Sequence, residues 1–324
     1  MNILVTGGAG YIGSHTCKTL RLAGHVPVAY DNLSLGHRQS VQWGPLVVGE
    51  LTDQARLEET LRTFRIEAVI HFAARSRVGE SMQVPGAYFL NNVAGTAQLL
   101  EAMRHCAVSS IVFSSSCAVY GVPDHLPIEE GCPTRPINPY GESKLAIEKM
   151  LYWLGALQGL RWVALRYFNA AGADPDGDLG ERHDPETHLL PLAIRAASPG
   201  DFRLAVFGTD YPTPDGTAIR DYVHVTDLAE AHLLALQALQ NDPVNACFNL
   251  GTGQGTSVRE VIATVEAVTG QPVRQMTAAR RAGDIPVLVA RADKAVQHLG
   301  WQPRRSAMQT MIQDVWNWEG RRRA

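Results

Sequence analysis

Tyr140 and Lys144, in the run NPYGESKLAIEKM, stand four residues apart, so in a helix the phenol and the ammonium share one face. A phenol has a pKa near ~10 and is a poor base at neutral pH. A neighbouring positive charge favours phenolate and can turn the side chain into a proton acceptor. The chain holds nine tyrosines and only four lysines, at 18, 144, 149 and 294, so about 0.1 pairs at this spacing are expected by chance. The plainer reading is a surface helix pair, an aromatic stem over an aliphatic one.

Upstream, FSSSCAVYG (113–121) ends an apolar run with three hydroxyls, Ser114 and Ser116 among them. At the carboxyl end of a sheet strand one of them can donate to a sugar hydroxyl or carbonyl; a loop satisfying its own backbone is the alternative. Earlier still, TGGAGYIG (6–13) sets Gly7, Gly10 and Gly13 at GxxGxxG spacing between a strand and a helix. The turn needs unusual backbone angles, a pyrophosphate needs bare amides, and the third glycine lets helix and strand close up. A tight turn without a ligand also fits the triplet. Asp31, 18 residues after Gly13, discriminates, because its carboxylate can accept from a ribose diol and repels an added phosphate. NAD is thus expected rather than NADP, with Arg38 close by in sequence; a turn-forming aspartate before Asn32 is the bland alternative. HFAAR (71–75) brings Ala73 and Ala74 to where a fourth strand would end, for close approach of adenosine or as ordinary packing. Together these groups describe alcohol oxidation at a nicotinamide, with Tyr140 taking a proton as hydride leaves carbon.

The elements that must position them follow from the hydrophobic pattern. ILVT, VPVAY, PLVVG, AVIHF, SIVFS and WVALRYF alternate with amphipathic stretches at 11–23, 53–64, 87–105 and 140–159. This predicts an α/β fold, a doubly wound parallel (Rossmann-type) sheet over 1–170, completed by part of 220–250. After Asn169 the run AGADPDGDLGERHDPETH reads as a boundary loop. A smaller mixed α/β substrate region, 171–324, is expected beyond it. Its helices are expected at 188–198, 226–240, 257–269 and 307–320, with Ser257 and Glu260 at capping-box spacing and the closing GRRRA frayed.

Composition narrows the classes. A hydrophobic content of 45% suits a continuous core, and a net charge of −3 with interspersed signs excludes the basic stripe of a nucleic-acid binder. No apolar run reaches the length of a membrane span, and MNILVTGG enters a strand without a basic leader. Five cysteines without CxxC or Cys/His spacing argue for free thiols, a reducing compartment and a cytoplasmic protein, with no metal site expected.

The segments TGGAGYIGSHT, YDNLS, VIHFAA, VGESM, NNVAGT, FSSSCAVYG, PYGESK, LRYFNAAGA, FGTDYPTPDGTAIRDYVHV, NLGTG and RRAGDIP resemble the extended short-chain dehydrogenase/reductase family over almost the whole chain, above all its members that invert a carbon of a UDP-hexose. The resemblance implies Ser116 and Tyr140 as catalytic hydroxyls and Lys144 as the group that tunes Tyr140 and holds the nicotinamide ribose. It implies cofactor contacts at Gly7, Gly10, Tyr11, Ile12, Gly13, Asp31, Asn32, Glu50 and Leu51. Phe72, Ala73, Ala74, Asn91, Ser114 and Tyr167 would complete them. Substrate contacts would come from Phe168, Asn169, His188, Leu189, Val206, Phe207 and Tyr222, from Arg220 and Arg281 on the diphosphate, and from Asp284 on the uridine ribose. Surface pairing with Asp221 and Asp284 is the plainer role for the two arginines. The implied activity interconverts UDP-glucose and UDP-galactose at C4 through a 4-keto sugar, with NAD tightly bound and restored each cycle. A homodimer formed by 87–105 and 140–159 is also implied.

Some positions depart from the family pattern. Ser76 and Ala118 replace a lysine and a threonine found in some members, and Glu50 replaces an aspartate. Leu288 is intermediate between the bulky residue that excludes N-acetylated sugars and the small ones that admit them, which leaves N-acetylated UDP-hexoses open. A 4,6-dehydratase would need Thr-Asp-Glu where this chain has Ser116, Cys117 and Ala118. A net alcohol dehydrogenase would release NADH, and a non-enzymatic scaffold would tend to lose Tyr140 or Lys144.

Overall fold

The apolar runs of the first half become strands of one sheet in the computed structural model, which describes residues 1–241, 245–281 and 283–323. These strands are β1 (Asn2–Thr6), β2 (Val26–Asp31), β3 (Leu46–Val48), β4 (Ala68–His71), β5 (Ser110–Ser116) and β6 (Arg161–Tyr167). They pair in parallel in the order β3-β2-β1-β4-β5-β6, and a seventh strand, Ala246–Leu250, adds to β6. Strands covered on both faces bury every other neighbour's side chain as well as their own, which is why they read as unbroken apolar runs. The chain winds outward from β1 to β3 and then returns to lay β4 beside β1. The crevice at the carboxyl ends of β1 and β4 is therefore the switch point where ligands of such sheets bind.

Helices cover both faces. On one side α1 (Tyr11–Leu22) buries Cys17 and Leu20. On the other lie α2 (Gln54–Thr63), the short α3 (Val78–Ser81) and α4 (Pro85–Tyr88), then α5 (Gly95–His105) and α6 (Pro139–Gln158). Leu57, Leu61, Leu99, Met103, Ile147 and Leu151 from α2, α5 and α6 form the second core. The stretch 87–105, expected as one regular helix, is interrupted by a π-helical segment at Phe89–Ala94. The wider turn delivers buried Asn92 to the backbone of Arg75 and to the Ser143 hydroxyl, at 2.8–3.0 Å.

Beyond β6 come β7 (Asn169–Ala171), α7 (Leu189–Ala197), β8 (Leu204–Phe207), β9 (Ile219–His224), α8 (Val225–Asn241), β10 (Ala246–Leu250, the seventh strand), β11 (Gly255–Ser257), α9 (Val258–Thr269), β12 (Gln275–Ala278), β13 (Val287–Leu288), α10 (Asp293–Leu299) and α11 (Met308–Arg323). Part of this stretch returns to the first layer. Leu228, Ala231, Ala235 and Leu236 of α8, Leu299 of α10 and Trp301 pack with α1 against the sheet. The remainder builds a small mixed layer in which β9 is flanked by β7, β11 and β13, and α7, α9 and α11 share a core of Ile194, Val261, Ile312 and Trp318. The Ser257–Glu260 capping box closes in both directions at the start of α9. Of the GRRRA tail expected to fray, α11 includes residues as far as Arg323 and Ala324 lies outside the described residues; Met311, Ile312, Val315 and Trp318 hold the preceding turns of the helix to the core. Among the described residues no helix is long and apolar enough to cross a membrane.

Candidate active site

The glycine-rich turn is closed by contacts that leave no room for side chains. Gly7 has φ +71°, and a Cβ there would lie 2.7 Å from the Ala73 amide nitrogen; one on Gly13 would lie 2.1 Å from the Gly7 carbonyl oxygen. Helix α1 starts after Gly10 without a side-chain cap, so the amides of its first turn, at Tyr11, Ile12 and Gly13, are presented at the switch point. Asp31 ends β2 and is buried, accepting from the Ala9 amide at 3.0 Å and the Leu33 amide at 2.8 Å. Burial raises its pKa, against the pull of those two amides. Nearby, Asn32 donates to Glu50 at 3.0 Å, and Leu51 is buried under Gly95. Bare backbone at two glycines, an uncapped helix start and an acid at the second strand end together fit a dinucleotide.

Thr6, at the end of β1, bonds His71 Nδ1 at 2.6 Å, and His71 Nε2 meets Thr96 at 2.8 Å. This buried bridge ties β1 and β4 to α5, just below Phe72, Ala73 and Ala74. Phe72 is fixed in turn against His232, with ring centroids 4.5 Å apart. Asn91 donates to Asn92 at 2.9 Å, so of the two it is Asn92 that anchors the segment after β4.

The carboxyl end of β5 and the start of α6 bring Ser116, Tyr140 and Lys144 together, all buried. Asn138 caps α6 by accepting from the Gly141 amide at 2.8 Å, with Pro139 in the first turn. Lys144 donates to the Ser114 carbonyl at 2.7 Å and lies 4.8 Å from the Phe113 ring and 5.8 Å from the Tyr140 ring. The Ser114 hydroxyl meets the Tyr167 phenol, and Ser116 Oγ accepts from the Ala118 amide at 3.2 Å. Burial pushes Tyr140 well above an ordinary phenol, helped by Tyr167 and opposed by the Ser116 hydroxyl. Burial pulls Lys144 down to about 7, against the Glu148 charge one turn on. The sequence expectation has the Lys144 ammonium and a positively charged nicotinamide together favouring phenolate at Tyr140; in the protein by itself, burial raises the phenol and lowers the ammonium.

The small layer gathers the other residues by strand register. Asn169 stands opposite Tyr222, and Leu288 opposite Arg220, so β9 carries both contacts at once. Phe168 is buried with Tyr120, Leu145 and Ala290, and Leu288 packs against the same cluster. Arg220 donates to Asp284 at 2.5 Å, and the Arg281 guanidinium lies 4.0 Å from the Phe207 ring. Asp284 accepts from Tyr211 at 3.3 Å. Of the two carboxylates expected as plainer partners, Asp284 is engaged, by Arg220, while Asp221 is taken up by other donors. Val206 is buried on β8 in the small-layer core, where Leu189 of α7 packs. His188 stands at the start of α7 with its ring on Glu181, away from these partners.

The sequence model of the NAD dependent epimerase/dehydratase family matches residues 3–251. The chain belongs to this family. A UDP-glucose 4-epimerase of Rhizobium meliloti is 50% identical over 321 residues, 99% of this chain and 98% of that protein. The crystal structure of UDP-glucose 4-epimerase from Brucella ovis in complex with NAD superposes with a TM-score of 0.95 at 53% identity, covering 98% of this chain and 97% of the other. That of the Bifidobacterium longum enzyme in complex with NAD+ and UDP gives 0.94 at 38% identity, covering 99% and 98%.

Two buried carboxylates of this epimerase/dehydratase chain escaped the sequence reading. Asp221, treated there only as a partner for arginine, accepts instead from Thr252, Gly253 and Ala290 at 2.7–3.1 Å and ties the loops after β10 and β13 to β9. Glu148, on the Tyr140 helix, pairs with Arg166 at 2.6 Å and accepts from Ser115 at 2.5 Å. Arg166 continues to Tyr120 at 2.9 Å, and Tyr120 to Asn249 at 2.7 Å. The one available signal for Glu148 was its fourth-place spacing from Lys144, a polar residue on a helix side that should be apolar.

Proposed function

We infer that this chain interconverts UDP-glucose and UDP-galactose by inverting C4, using NAD as a cofactor that is restored in each turnover. The observation that carries the reading is the buried set of Ser116, Tyr140 and Lys144 at the carboxyl end of β5, beside a glycine turn with bare backbone. Full-length likeness to UDP-glucose 4-epimerases supports the same substrate pair. Bound NAD would supply the acceptor for the C4 hydrogen and give it back to the other face of the sugar. Gly7, Gly10, Gly13 and the first amides of α1 are proposed to hold its pyrophosphate, Asp31 its adenosine ribose, and Lys144 its nicotinamide ribose.

In the proposed roles, Tyr140 removes the C4 hydroxyl proton at its phenolic oxygen and returns it in the second half-reaction, while Ser116 donates to the same sugar oxygen. The positive charge that a nicotinamide carries before the transfer favours phenolate, and it is this charge that burial alone does not provide. Asn169 and Tyr222 are proposed to touch the sugar nucleotide, and Arg220 and Arg281 the diphosphate, for which a guanidinium fork suits two-point contact. Arg220 then has to exchange Asp284 for phosphate, leaving that carboxylate for the uridine ribose. Binding energy gathered on this remote handle allows the 4-keto sugar to turn between half-reactions. Leu288, beside Phe168, leaves room for N-acetylated UDP-hexoses as further substrates.

Two copies are proposed to pair through α5 and α6. Tyr152, Trp153 and Leu157 are exposed on α6, beside a groove lined by Leu100, Met150 and Leu160. Five free cysteines suit a cytoplasmic setting. The deciding experiment incubates purified chain separately with UDP-glucose, UDP-galactose and their N-acetylated counterparts and resolves the products. Inversion at C4 without accumulation of free NADH is expected; a deoxy-keto product or net NADH would overturn the assignment.

A further inference from the structure

The loop between β7 and α7 carries two clusters of ligating side chains that meet their charge differently. Asp174, Asp176 and Asp178 surround the Lys18 ammonium at 2.7, 2.7 and 2.9 Å, so that cluster already holds its cation. Glu181, His183, Glu186 and His188 bring one ligand atom each to within 4.8 Å of one another. Among the described residues no lysine or arginine pairs with either of these carboxylates; their ion-pair partners are the two histidines, and Glu186 also accepts from the Thr187 and His188 amides at 2.7 and 2.9 Å. Glu181 is buried, its side chain 3% exposed, and the Nδ1 atoms of both rings converge on its Oε1, that of His183 at 3.1 Å. A buried carboxylate needs a counter-charge. One protonated imidazole supplies it, and so does one dication held by two neutral imidazoles, whose ring centroids lie 5.4 Å apart.

We propose that Glu181, His183, Glu186 and His188 bind a divalent transition-metal ion of the zinc class, which staples this loop across the dinucleotide side of the molecule. Two imidazole nitrogens with two carboxylate oxygens suit zinc, whereas calcium and magnesium prefer oxygen alone. A tetrahedral ion with ligands at about 2.0–2.1 Å would draw the four atoms to roughly 3.4 Å from one another, a closure within reach of side-chain rotation. All four ligands fall within eight residues of sequence, so one ion fixes the whole segment.

What the loop touches gives the staple its consequence. Within the stapled segment, His37 Nε2 donates to the Arg182 carbonyl at 3.1 Å and Arg77 to those of Asp184 and Pro185 at 3.1 Å, while at the start of the same loop the Tyr11 phenol donates to the Gly172 carbonyl at 2.6 Å. These partners come from the head of α1, the loop after β2 and the segment after β4, the three pieces around the switch point. Metal binding stands independently of the reaction; its effect on cofactor retention rests on the NAD reading above. His188, expected from sequence to contact substrate, is a metal ligand in this proposal; the expectation of no metal site rests on the absence of CxxC and Cys/His spacing.

The test uses untagged chain, stripped with chelator and titrated with Zn2+ and with Co2+. Expected are one ion per chain by elemental analysis, the intense visible absorption of tetrahedral Co2+, a Zn2+-dependent rise in unfolding temperature, and slower loss of bound NAD. The double variant His183→Ala with His188→Ala should bind Zn2+ at least about 100-fold more weakly and lose the Co2+ spectrum. Should that variant fail to fold, as judged by circular dichroism, His188→Gln, at the most exposed of the four side chains, should still weaken binding about tenfold. Substoichiometric metal in the wild type, or equal binding by the variants, would overturn the site. Stoichiometric metal with NAD loss unchanged would overturn the staple while leaving the reaction untouched.

Discussion

Around the glycine turn the working groups are main-chain amides, held by contacts of a few residues, whereas around Arg220 they are side chains drawn from strands far apart in sequence. The turn at 7–13 is closed by β1, α1, the end of β2 at Ala29–Asp31 and the neighbouring Ala73. Arg220, Asp284, Leu288, Asn169 and Tyr222 meet only because β9 accepts β7, β11 and β13 as neighbours. The first kind of site tolerates no added atom but is rigid by construction. The second would tolerate side-chain exchange, as in the proposed trade of Asp284 for a phosphate at Arg220, and its identity depends on register.

Tyr140 lies where the two constructions meet, and its replacement separates chemistry from both. Tyr140→Phe is expected to keep the fold and bound NAD while losing turnover by ~10²–10⁴-fold, read from product formation by each UDP-hexose. Activity near wild type would remove the phenol from the mechanism. Within the cradle, Gly13→Ala drives a Cβ to 2.1 Å from the Gly7 oxygen and is expected to cost about 3 kcal/mol in denaturant unfolding and to empty the protein of NAD. An alanine variant that purifies with full NAD would mean that the turn has slack.

On the other side, Asp221→Asn places an amide where Thr252, Gly253 and Ala290 all donate. A loss of about 2 kcal/mol is expected, with KM for UDP-glucose rising more than NAD affinity falls. The reverse pattern would show that the two sites are not separable.

Acid probes the cradle again. Burial holds His15 and His71 near pKa 3 and His232 near 4, against an ordinary value of 6.5. Each stays neutral in the fold while the unfolded chain takes up a proton, so each favours folding above about pH 6.5 and loses that contribution as pH falls toward its folded value, at about 1.4 kcal/mol per pH unit. Unfolding midpoints between pH 7 and 4 should drop steeply, and less so in His71→Asn. The smallest effect is expected at Leu288. Leu288→Tyr should lower kcat/KM for an N-acetylated UDP-hexose about tenfold relative to UDP-glucose; an unchanged ratio would place the specificity elsewhere.

The same contrast governs what could be read from the sequence. Six strands of the large sheet and its helices were legible because doubly covered strands and amphipathic helices leave periodic signals, and Gly7, Asp31, Tyr140 and Lys144 each sit at a fixed offset from one of them. β13 has two residues, β7 three, and β9 reads IRDYVH. None of these carries enough period to reveal that they pair. Asp221 and Glu148 were hidden for a related reason, since their roles exist only through donors 31 or more residues away for Asp221 and 18 or more for Glu148. The upward pull of burial on Tyr140 and its downward pull on Lys144 were not legible, because sequence supplies neighbours but not desolvation.

The chain of bonds from Ser115 and Arg166 through Glu148 fixes α6 from beneath, one turn after Lys144 and two after Tyr140. A catalyst that runs one step forward and then its mirror image must present the same proton at the same point for both. A helix free to relax after the first half would strand the ketone with its proton displaced. Anchored by a buried ion pair, the phenol is held as a fixed origin for the proposed half-reactions, about which the substrate, and not the enzyme, would change hands.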